Sequence, residues 1–261
     1  SSFSMADLQK LAAALREAEA TAQPIAPIRD QLASAEQAYM VQEINTRARL
    51  AAGGRLVGRK VGLTNPAVQV QLRVDQPDYG MLFADMDLPH GAELTFSEGA
   101  QFKAEAELAF VMGRDLPQGD AGMAEVMRAV EYVVPAIEIV GSRIADWDIR
   151  FVDTVADNAS SAFFTLGPSA QRLTDADLLD CRMRMTSGDT VVSEGTGRAC
   201  LGSPLNALAW LARVMARAGR PLSEGDVVLS GALGPMVAAT PGAAFTATIE
   251  GFGETSIRFG A

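Results

Sequence analysis

Two glutamates that alternate with apolar residues are the first candidates for chemistry in this sequence. Glu105 and Glu107 lie in QFKAEAELAFVMG, and this alternation is typical of a β-strand. Side chains at positions i and i+2 of a strand point to the same face, so the two carboxylates would lie roughly 7 Å apart and could share one cation. Two solvated glutamates on an exposed edge strand would show the same pattern, so both interpretations remain open.

A third carboxylate, Glu138, lies within the almost wholly apolar run VVPAIEIVGS. Burying a carboxylate is costly unless it is paired or binds a metal. Its partner could also be a buried arginine such as Arg143, and an exposed position on an amphipathic strand is the remaining alternative. If Glu105, Glu107 and Glu138 meet, they form an oxygen-only site suited to Mg²⁺ or Mn²⁺, with room for substrate and water on the same cation.

Lysine is rare in this chain, which makes each lysine worth individual inspection. Lys10, Lys60 and Lys103 are the only lysines, and the remaining positive residues are arginines. Lys60 lies in GRKVGLT, and if it is desolvated near a metal its pKa would fall, so that it could transfer a proton. A surface lysine or an ordinary salt bridge is the alternative. Asp78 follows a proline in DQPDYG, where a turn is the default structure.

Two further segments combine polar groups with small or apolar residues. In VDTVADNASSAFF, Ser160 and its polar neighbours lie among apolar residues, which fits either a buried polar network or ordinary turn capping. In SGALGP, residues 230–235, consecutive backbone N–H groups near Ala232 and Leu233 could form an anion-binding nest. Neither segment identifies a function by itself.

The single histidine, His90, excludes several classes of site. A zinc site with two histidines cannot form, and a Ser-His-Asp or Cys-His arrangement would have to use His90. The surrounding LPHGAEL, with its proline and glycine, predicts a surface turn. The sequence also lacks GxxxxGK[ST], and GTGRACLG lacks the third glycine of GxGxxG, so the usual nucleotide signatures are absent.

Composition indicates an ordinary soluble globular protein. The net charge of −10 disfavours nucleic acid and anionic membrane surfaces as partners. Cys181 and Cys200 offer no disulfide framework, which fits a reducing cytoplasm. No apolar run reaches about 18 residues, so a membrane span is not expected.

The pattern of periodicity and turns predicts an α+β fold. Helices are expected at 5–21, 34–50, 121–131 and 204–219. The strand candidates are GRKVGL, AELAFVMG, VVPAIEIVGS, AFFTLG, RMRMTSG, DTVVSEG, DVVLSGAL, AAFTATIEG and TSIRFG. We therefore predict an N-terminal helical segment, residues 1–55, packed on a catalytic domain, residues 56–261, built on a mixed, curled sheet.

Several long motifs resemble the 2-keto-4-pentenoate hydratase family of the fumarylacetoacetate hydrolase superfamily. They are GRKVGLT, VDQPDYGMLFADM, EAELAFV, VVPAIEIVGSRIADWDIRFVDTVADNAS and LSGALGPMV, in order, and the resemblance runs from about residue 30 to the C-terminus. It implies the curled sheet of that superfamily's C-terminal domain, a Mg²⁺ or Mn²⁺ cofactor and a homo-oligomer, either a pentamer or a decamer.

The resemblance also implies roles for individual residues. The metal-binding carboxylates fall on Glu105, Glu107 and Glu138. The catalytic residues fall on Lys60, Asp78 and Ser160, and the substrate would lie against Leu63, Ala232 and Leu233.

The family hydrates 2-hydroxypenta-2,4-dienoate to 4-hydroxy-2-oxopentanoate in meta-cleavage degradation of aromatic compounds, with the cation acting as a Lewis acid at the C2 oxygen. The alternatives are a 4-oxalocrotonate decarboxylase, a hydratase for a dioate or an alkyl-substituted dienoate, and a protein that binds a metal or 2-oxo acid without catalysis. Related C–C hydrolases commonly use a His-Glu pair, which the position of His90 disfavours.

The choice between these substrates depends on the distal end of the site. A second carboxylate in a dry pocket would need a fixed cation. The segment DYGMLFADM resembles the family's lid and presents Met81, Leu82, Phe83 and Met86, without a basic residue. Arg73 and Arg143 are near in sequence but fall on no motif expected at that end. We therefore predict a monocarboxylate dienol.

Overall fold

Two amphipathic helices open the chain and pack against each other. In the computed structural model, which describes residues 3–97 and 99–261, α1 spans Met5–Thr21 and α2 spans Ala35–Ala51. Ser4 caps α1, because its hydroxyl accepts from the Asp7 N–H while the Asp7 carboxylate accepts from the Ser4 N–H. Ser34 caps α2 through the Gln37 N–H, but the Gln37 side chain accepts from the N–H of Ala33, so only one half of a capping box forms.

The remaining elements include each strand and both later helices predicted from the sequence. The helices are α3 Pro66–Leu72, α4 Met123–Ala129, α5 Phe151–Ala156 and α6 Pro204–Arg217. The strands are β1 Leu56–Gly62, β2 Asp78–Phe83, β3 Asp87–Leu88, β4 Ala92–Leu94, β5 Phe102–Met112, β6 Val130–Gly141, β7 Ser161–Leu166, β8 Arg182–Ser187, β9 Thr190–Thr196, β10 Val227–Ala232, β11 Val237–Ala238, β12 Ala244–Ile249 and β13 Gly253–Phe259.

A mixed sheet forms the centre of the molecule. Its strand order is β2-β1-β10-β5-β6-β7-β3, and β11 pairs with part of β5. The pairs β1–β10 and β7–β3 are parallel, whereas β10–β5, β5–β6 and β6–β7 are antiparallel. A second sheet, β4-β13-β12-β8-β9, packs against β6 and β7. Because β5 lies between two partners, the alternative that Glu105 and Glu107 lie on an exposed edge strand is excluded.

The buried apolar residues form two clusters. The larger one fills the space between the sheets and α6. The smaller one joins α1 and α2 to Ile144, Val155 and Ala156 of the body. The helices therefore pack on the segment that contains α5, as the sequence predicts, while the division into two domains at residue 55 stays a prediction.

Several short elements differ from the sequence-based expectation, among them the short strands β3, β4 and β11, which the sequence does not predict. The segment expected to resemble a lid forms β2 and the turn after it, and Met81, Leu82, Phe83 and Met86 are buried in the core rather than set over a site. Helices α3 and α5 were not predicted, because six or seven residues give too little periodicity. The start of α3 nevertheless has local signals, since Asn65 caps it and Pro66 occupies the first turn.

None of the helices within residues 3–97 and 99–261 is long and apolar enough to cross a membrane.

The packing of α1 predicts its contribution to stability. Leu8→Ala removes a side chain that is 1% exposed, and we expect it to lower the free energy of unfolding by about 2–5 kcal/mol. Gln9→Ala, at the neighbouring exposed position, should change it by less than about 0.5 kcal/mol. Urea unfolding of the two variants measures the difference, and equal midpoints would show that α1 is not part of the folded core.

Candidate active site

The register between β5 and β6 brings three carboxylates together. Glu105 lies directly opposite Glu138 in the antiparallel pair, and Glu107 is two residues further along the same face of β5. One oxygen from each of the three carboxylates lies within 4.8 Å of the others, and all three residues are buried. The predicted cluster is therefore present, and the suggested Glu138–Arg143 pair does not form, because Arg143 pairs with Asp157 at 2.7 Å.

The end of β10 fixes one of these carboxylates. The N–H of Gly231 donates to Glu107 Oε1 at 2.8 Å, so one N–H group of SGALGP binds a carboxylate of the protein itself. Gly231 has φ 112, and a Cβ there would overlap the Thr64 side chain, so this position requires glycine. The N–H of Leu233 donates to the Ala106 carbonyl, which leaves it unavailable to a substrate carboxylate.

Lys60, on β1, is the cation that faces this cluster. Its Nζ lies 2.8 Å from Glu138 Oε1 and donates to the carbonyl of Ala159 at 2.7 Å. Burial lowers the pKa of the Lys60 ammonium, but the carboxylates of Glu138, Glu105 and Asp78 outweigh burial and raise it above its usual value. The predicted fall of this pKa beside a bound metal stays a prediction.

The carboxylates themselves resist ionisation in the metal-free protein. Burial, followed by repulsion from Glu138, raises the pKa of Glu105 to about 7 and raises the pKa of Glu107 well above its usual range. Within the described part of the chain, Glu107 Oε2 and Glu138 Oε2 have no hydrogen-bond partner. A buried set of acidic oxygens that one lysine cannot neutralise fits a hard divalent cation, which prefers oxygen ligands.

Asp78 begins β2 and reaches the cluster from the side of β1. It is 2% exposed, and Gly62 packs so closely on it that a Cβ at position 62 would overlap Asp78 Oδ1. Burial raises the pKa of Asp78 to about 6, although the Lys60 ammonium lowers it. The default expectation of a turn aspartate is therefore wrong, and this carboxyl group can gain or lose a proton near neutral pH.

Ser160 contributes a hydroxyl to the site, and the carbonyl of its neighbour Ala159 contacts Lys60. Its Oγ lies 2.9 Å from Thr154 Oγ1 of α5, and both residues are buried. Ser160 ends a turn in which Asn158, Ala159 and Ser160 all have left-handed backbone angles. The polar residues of VDTVADNASSAFF thus form a buried network, which decides between the two interpretations that the sequence left open.

A cavity of about 590 Å³ reaches Glu105 of the carboxylate cluster, whereas Glu107 and Glu138 do not line it. The predicted catalytic residues Lys60, Asp78 and Ser160 line the cavity together with Glu105. The predicted substrate-binding residues Leu63, Ala232 and Leu233 line it as well. The rest of its wall is largely apolar and is formed by Val68, Val140, Trp147, Ile149, Pro235 and Met236, among others. The cavity therefore suits a small acid with an apolar tail.

Much of the cavity wall was not predicted from the sequence, including three polar or aromatic residues. Thr154, Trp147 and Arg150 lie within one of the resembling motifs, but no spacing rule indicated that they face the site. Arg150 supplies a basic group that the sequence-based view of the distal end did not include, whereas Arg73 and Arg143 do not line the cavity. His90 is exposed in a turn, as predicted, and lies against Thr255 and Ser256.

Comparison with known proteins agrees with this geometry. Residues 55–259 match the fumarylacetoacetate (FAA) hydrolase C-terminal family. The chain is 60% identical over 250 residues to 2-keto-4-pentenoate hydratase 2 of Dechloromonas aromatica, with 95% of each chain covered. It is 54% identical to the TodF product hydratase of Pseudomonas putida, over 97% of this chain and 95% of that protein.

Among solved structures, 4-oxalocrotonate decarboxylase from Pseudomonas putida G7, complexed with magnesium and adipate, superposes with a TM-score of 0.94. It is 30% identical, and the match covers 99% of both chains. The fold and the predicted resemblance are thereby confirmed. This chain belongs to the 2-keto-4-pentenoate hydratase family of the fumarylacetoacetate hydrolase superfamily.

Proposed function

We propose that this protein is a metal-dependent hydro-lyase that hydrates 2-hydroxypenta-2,4-dienoate, or a short alkyl homologue, to 4-hydroxy-2-oxopentanoate. Its pathway would be the meta-cleavage degradation of aromatic compounds. The observation that carries the proposal is the buried Glu105–Glu107–Glu138 cluster beside Lys60 and Asp78, at a cavity with a largely apolar wall. The 60% identity to a 2-keto-4-pentenoate hydratase supports it.

We propose Glu105, Glu107 and Glu138 as the ligands of a divalent cation, Mg²⁺ or Mn²⁺. The support is the oxygen-only donor set and its two unpartnered oxygens among the described residues. Structures of 4-oxalocrotonate decarboxylase, 30% identical to this chain, were obtained with magnesium or calcium. When bound, such a cation would act as a Lewis acid toward the C2 oxygen and carboxylate of the substrate.

Lys60 is suited to hold the acidic head of the substrate. An ammonium has three N–H donors, and Glu138 and Ala159 engage two of them. The third N–H would donate a hydrogen bond to the C2 oxygen or the carboxylate of the substrate. It thereby favours charge that develops on the C2 oxygen.

Asp78 is suited to the proton transfer at the far end of the dienol. Since burial raises its pKa to about 6, it can supply a proton near neutral pH. Protonation at C5, with loss of the proton from the C2 hydroxyl, gives the conjugated 2-oxo-3-enoate. Water then adds its hydroxyl at C4 and a proton at C3. We propose that Ser160 orients this water, and its hydrogen bond with Thr154 supports this role.

A related reaction on a dicarboxylate is the second candidate, and Arg150 is the observation that favours it. This arginine lines the cavity and could pair with a distal carboxylate. Arg150 is exposed, however, and the cavity wall around it is largely apolar, so we favour a monocarboxylate as the substrate. By resemblance to the family, we also propose a cytoplasmic homo-oligomer, either a pentamer or a decamer.

Metal removal should abolish turnover. Treatment with a chelator is expected to stop the loss of the dienol absorbance, and Mg²⁺ or Mn²⁺ should restore turnover.

Glu107→Gln should weaken the metal affinity, because the amide removes a full negative charge. Since the pKa of Glu105 is about 7 in the metal-free protein, affinity measured by calorimetry should fall as the pH decreases below that value. Full activity of the metal-free protein would contradict the proposal.

Lys60→Met should retain the fold and bind metal but lose kcat by at least about a hundredfold. Lys10→Met, at an exposed position on α1, is the matched control and should keep the wild-type rate. Lys103 is a less suitable control, because its Nζ lies 4.4 Å from the ring centroid of Trp147, a residue of the cavity wall. A wild-type kcat in Lys60→Met would show that this role is wrong.

The substrate preference is tested by offering 2-hydroxypentadienoate and 2-oxohex-3-enedioate side by side with saturating Mg²⁺. We expect a higher kcat/KM for hydration of the monoacid. Arg150→Gln should leave that value within about threefold while lowering any activity on the dioate, because Arg150 is the cation of the outer wall. Faster release of CO₂ from the dioate by the wild type would overturn the assignment in favour of a decarboxylase.

A further inference from the structure

The turn Asn158–Ser160 has an unusual backbone. Asn158, Ala159 and Ser160 have φ angles of 53°, 53° and 57°, so three consecutive residues other than glycine are left-handed. Asparagine tolerates this region comparatively well, but alanine and serine do not. A run of this kind persists only where the surrounding structure imposes it.

The side chain of Asn158 supplies one such constraint. Its Oδ1 accepts from the N–H of Met81 at 2.7 Å, and its Nδ2 donates to the carbonyl of Met81 at 3.0 Å. The amide thus pairs with the backbone of β2, the strand at the edge of the large sheet. Gly80 allows the close approach, because a Cβ there would overlap the carbonyl of Asn158.

The preceding residue fastens the turn on its other side. The Asp157 carboxylate accepts from the N–H and Nε of Arg143, and the Asp157 carbonyl accepts from Arg143 Nη2. Arg143 Nη1 also donates to the carbonyl of Ser161. The turn is therefore held between β2 and the part-buried Arg143, with little freedom to relax.

The constrained turn supplies two functional groups to the site. The carbonyl of Ala159 accepts from Lys60 Nζ at 2.7 Å, and the Ser160 hydroxyl lines the cavity beside Thr154. Asp78 lies on β2, three residues before Met81, so the Asn158 amide also ties the strand that carries Asp78 to the turn. Asn158 itself is absent from the cavity wall.

We propose that Asn158 is a positioning residue, whose amide holds the left-handed turn so that the Ala159 carbonyl orients the Lys60 ammonium and the Ser160 hydroxyl stays in the cavity. This inference rests on the proposed hydratase activity for its kinetic test. It assigns to Asn158 no contact with substrate. Its loss should therefore lower kcat more than it changes KM.

The test compares three variants with 2-hydroxypentadienoate as substrate. Asn158→Gly permits the left-handed backbone but removes the amide, and Asn158→Ala removes the amide and disfavours the backbone. We expect kcat to fall at least about tenfold in Asn158→Gly and further in Asn158→Ala, with KM and Mg²⁺ affinity within about twofold of the wild type.

Asn45→Ala is the matched control. Asn45 also donates to a backbone carbonyl, that of Ala12, and accepts one hydrogen bond, from Arg16 Nη1, but it lies on α2 outside the cavity wall. It should lose stability in the same way while it keeps the wild-type kcat. A kcat in Asn158→Gly within twofold of the wild type would overturn the proposal, and so would an equal loss of kcat in Asn45→Ala.

A crystal structure of Asn158→Gly separates this inference from the proposed function. We expect the distance between Lys60 Nζ and the Ala159 carbonyl to lengthen beyond hydrogen-bonding range. If the wild type fails to hydrate the dienol, the proposed function fails, and the variant structure still decides the positioning role. An unchanged turn and an unchanged Lys60 contact would overturn it.

Discussion

The buried negative charge between β5 and β6 is the constraint on which the rest of the site depends. Glu105 and Glu138 face each other across the pair, and Glu107 adds a third carboxylate on the same face. Like charges directly opposite each other destabilise a sheet, and burial increases the cost. One lysine offsets part of this charge, and the Gly231 N–H stabilises one oxygen. The remaining carboxylate oxygens are the ligands that we propose for a hard cation.

The surrounding structure is arranged to hold that charge in place. Each group of the site comes from a different part of the chain: Lys60 from β1, Asp78 from β2, the glutamates from β5 and β6, and Ser160 from the turn before β7. Backbone hydrogen bonds between neighbouring strands fix the positions of most of these groups. The turn at Ser160 lacks that support from a ladder, so side-chain hydrogen bonds perform the same task there.

The sequence was sufficient to predict the strands and the shared face of Glu105 and Glu107, because alternation on one strand is a local property. It was not sufficient to place Glu138 opposite Glu105, since that depends on the register of two strands distant in sequence; the family resemblance supplied this. For the same reason it could not show that Glu138, Glu105 and Asp78 surround the Lys60 ammonium, because these carboxylates lie on other strands. Trp147 and Arg150 were missed because left-handed angles at Asp146 and Trp147 redirect the chain there.

The cavity has two kinds of wall, and they differ in how freely they can change. The carboxylate cluster and Lys60 lie on central strands of the sheet, where a substitution disturbs several partners at once. Much of the outer wall belongs to the connection between β6 and α5, which carries Trp147, Ile149 and Arg150 and packs on the N-terminal helices. Substitutions in that connection can therefore change the part of the cavity that would face the tail of the substrate, while the carboxylates and Lys60 stay in place. This backbone is compatible with more than one reaction, since a 4-oxalocrotonate decarboxylase at 30% identity has the same fold.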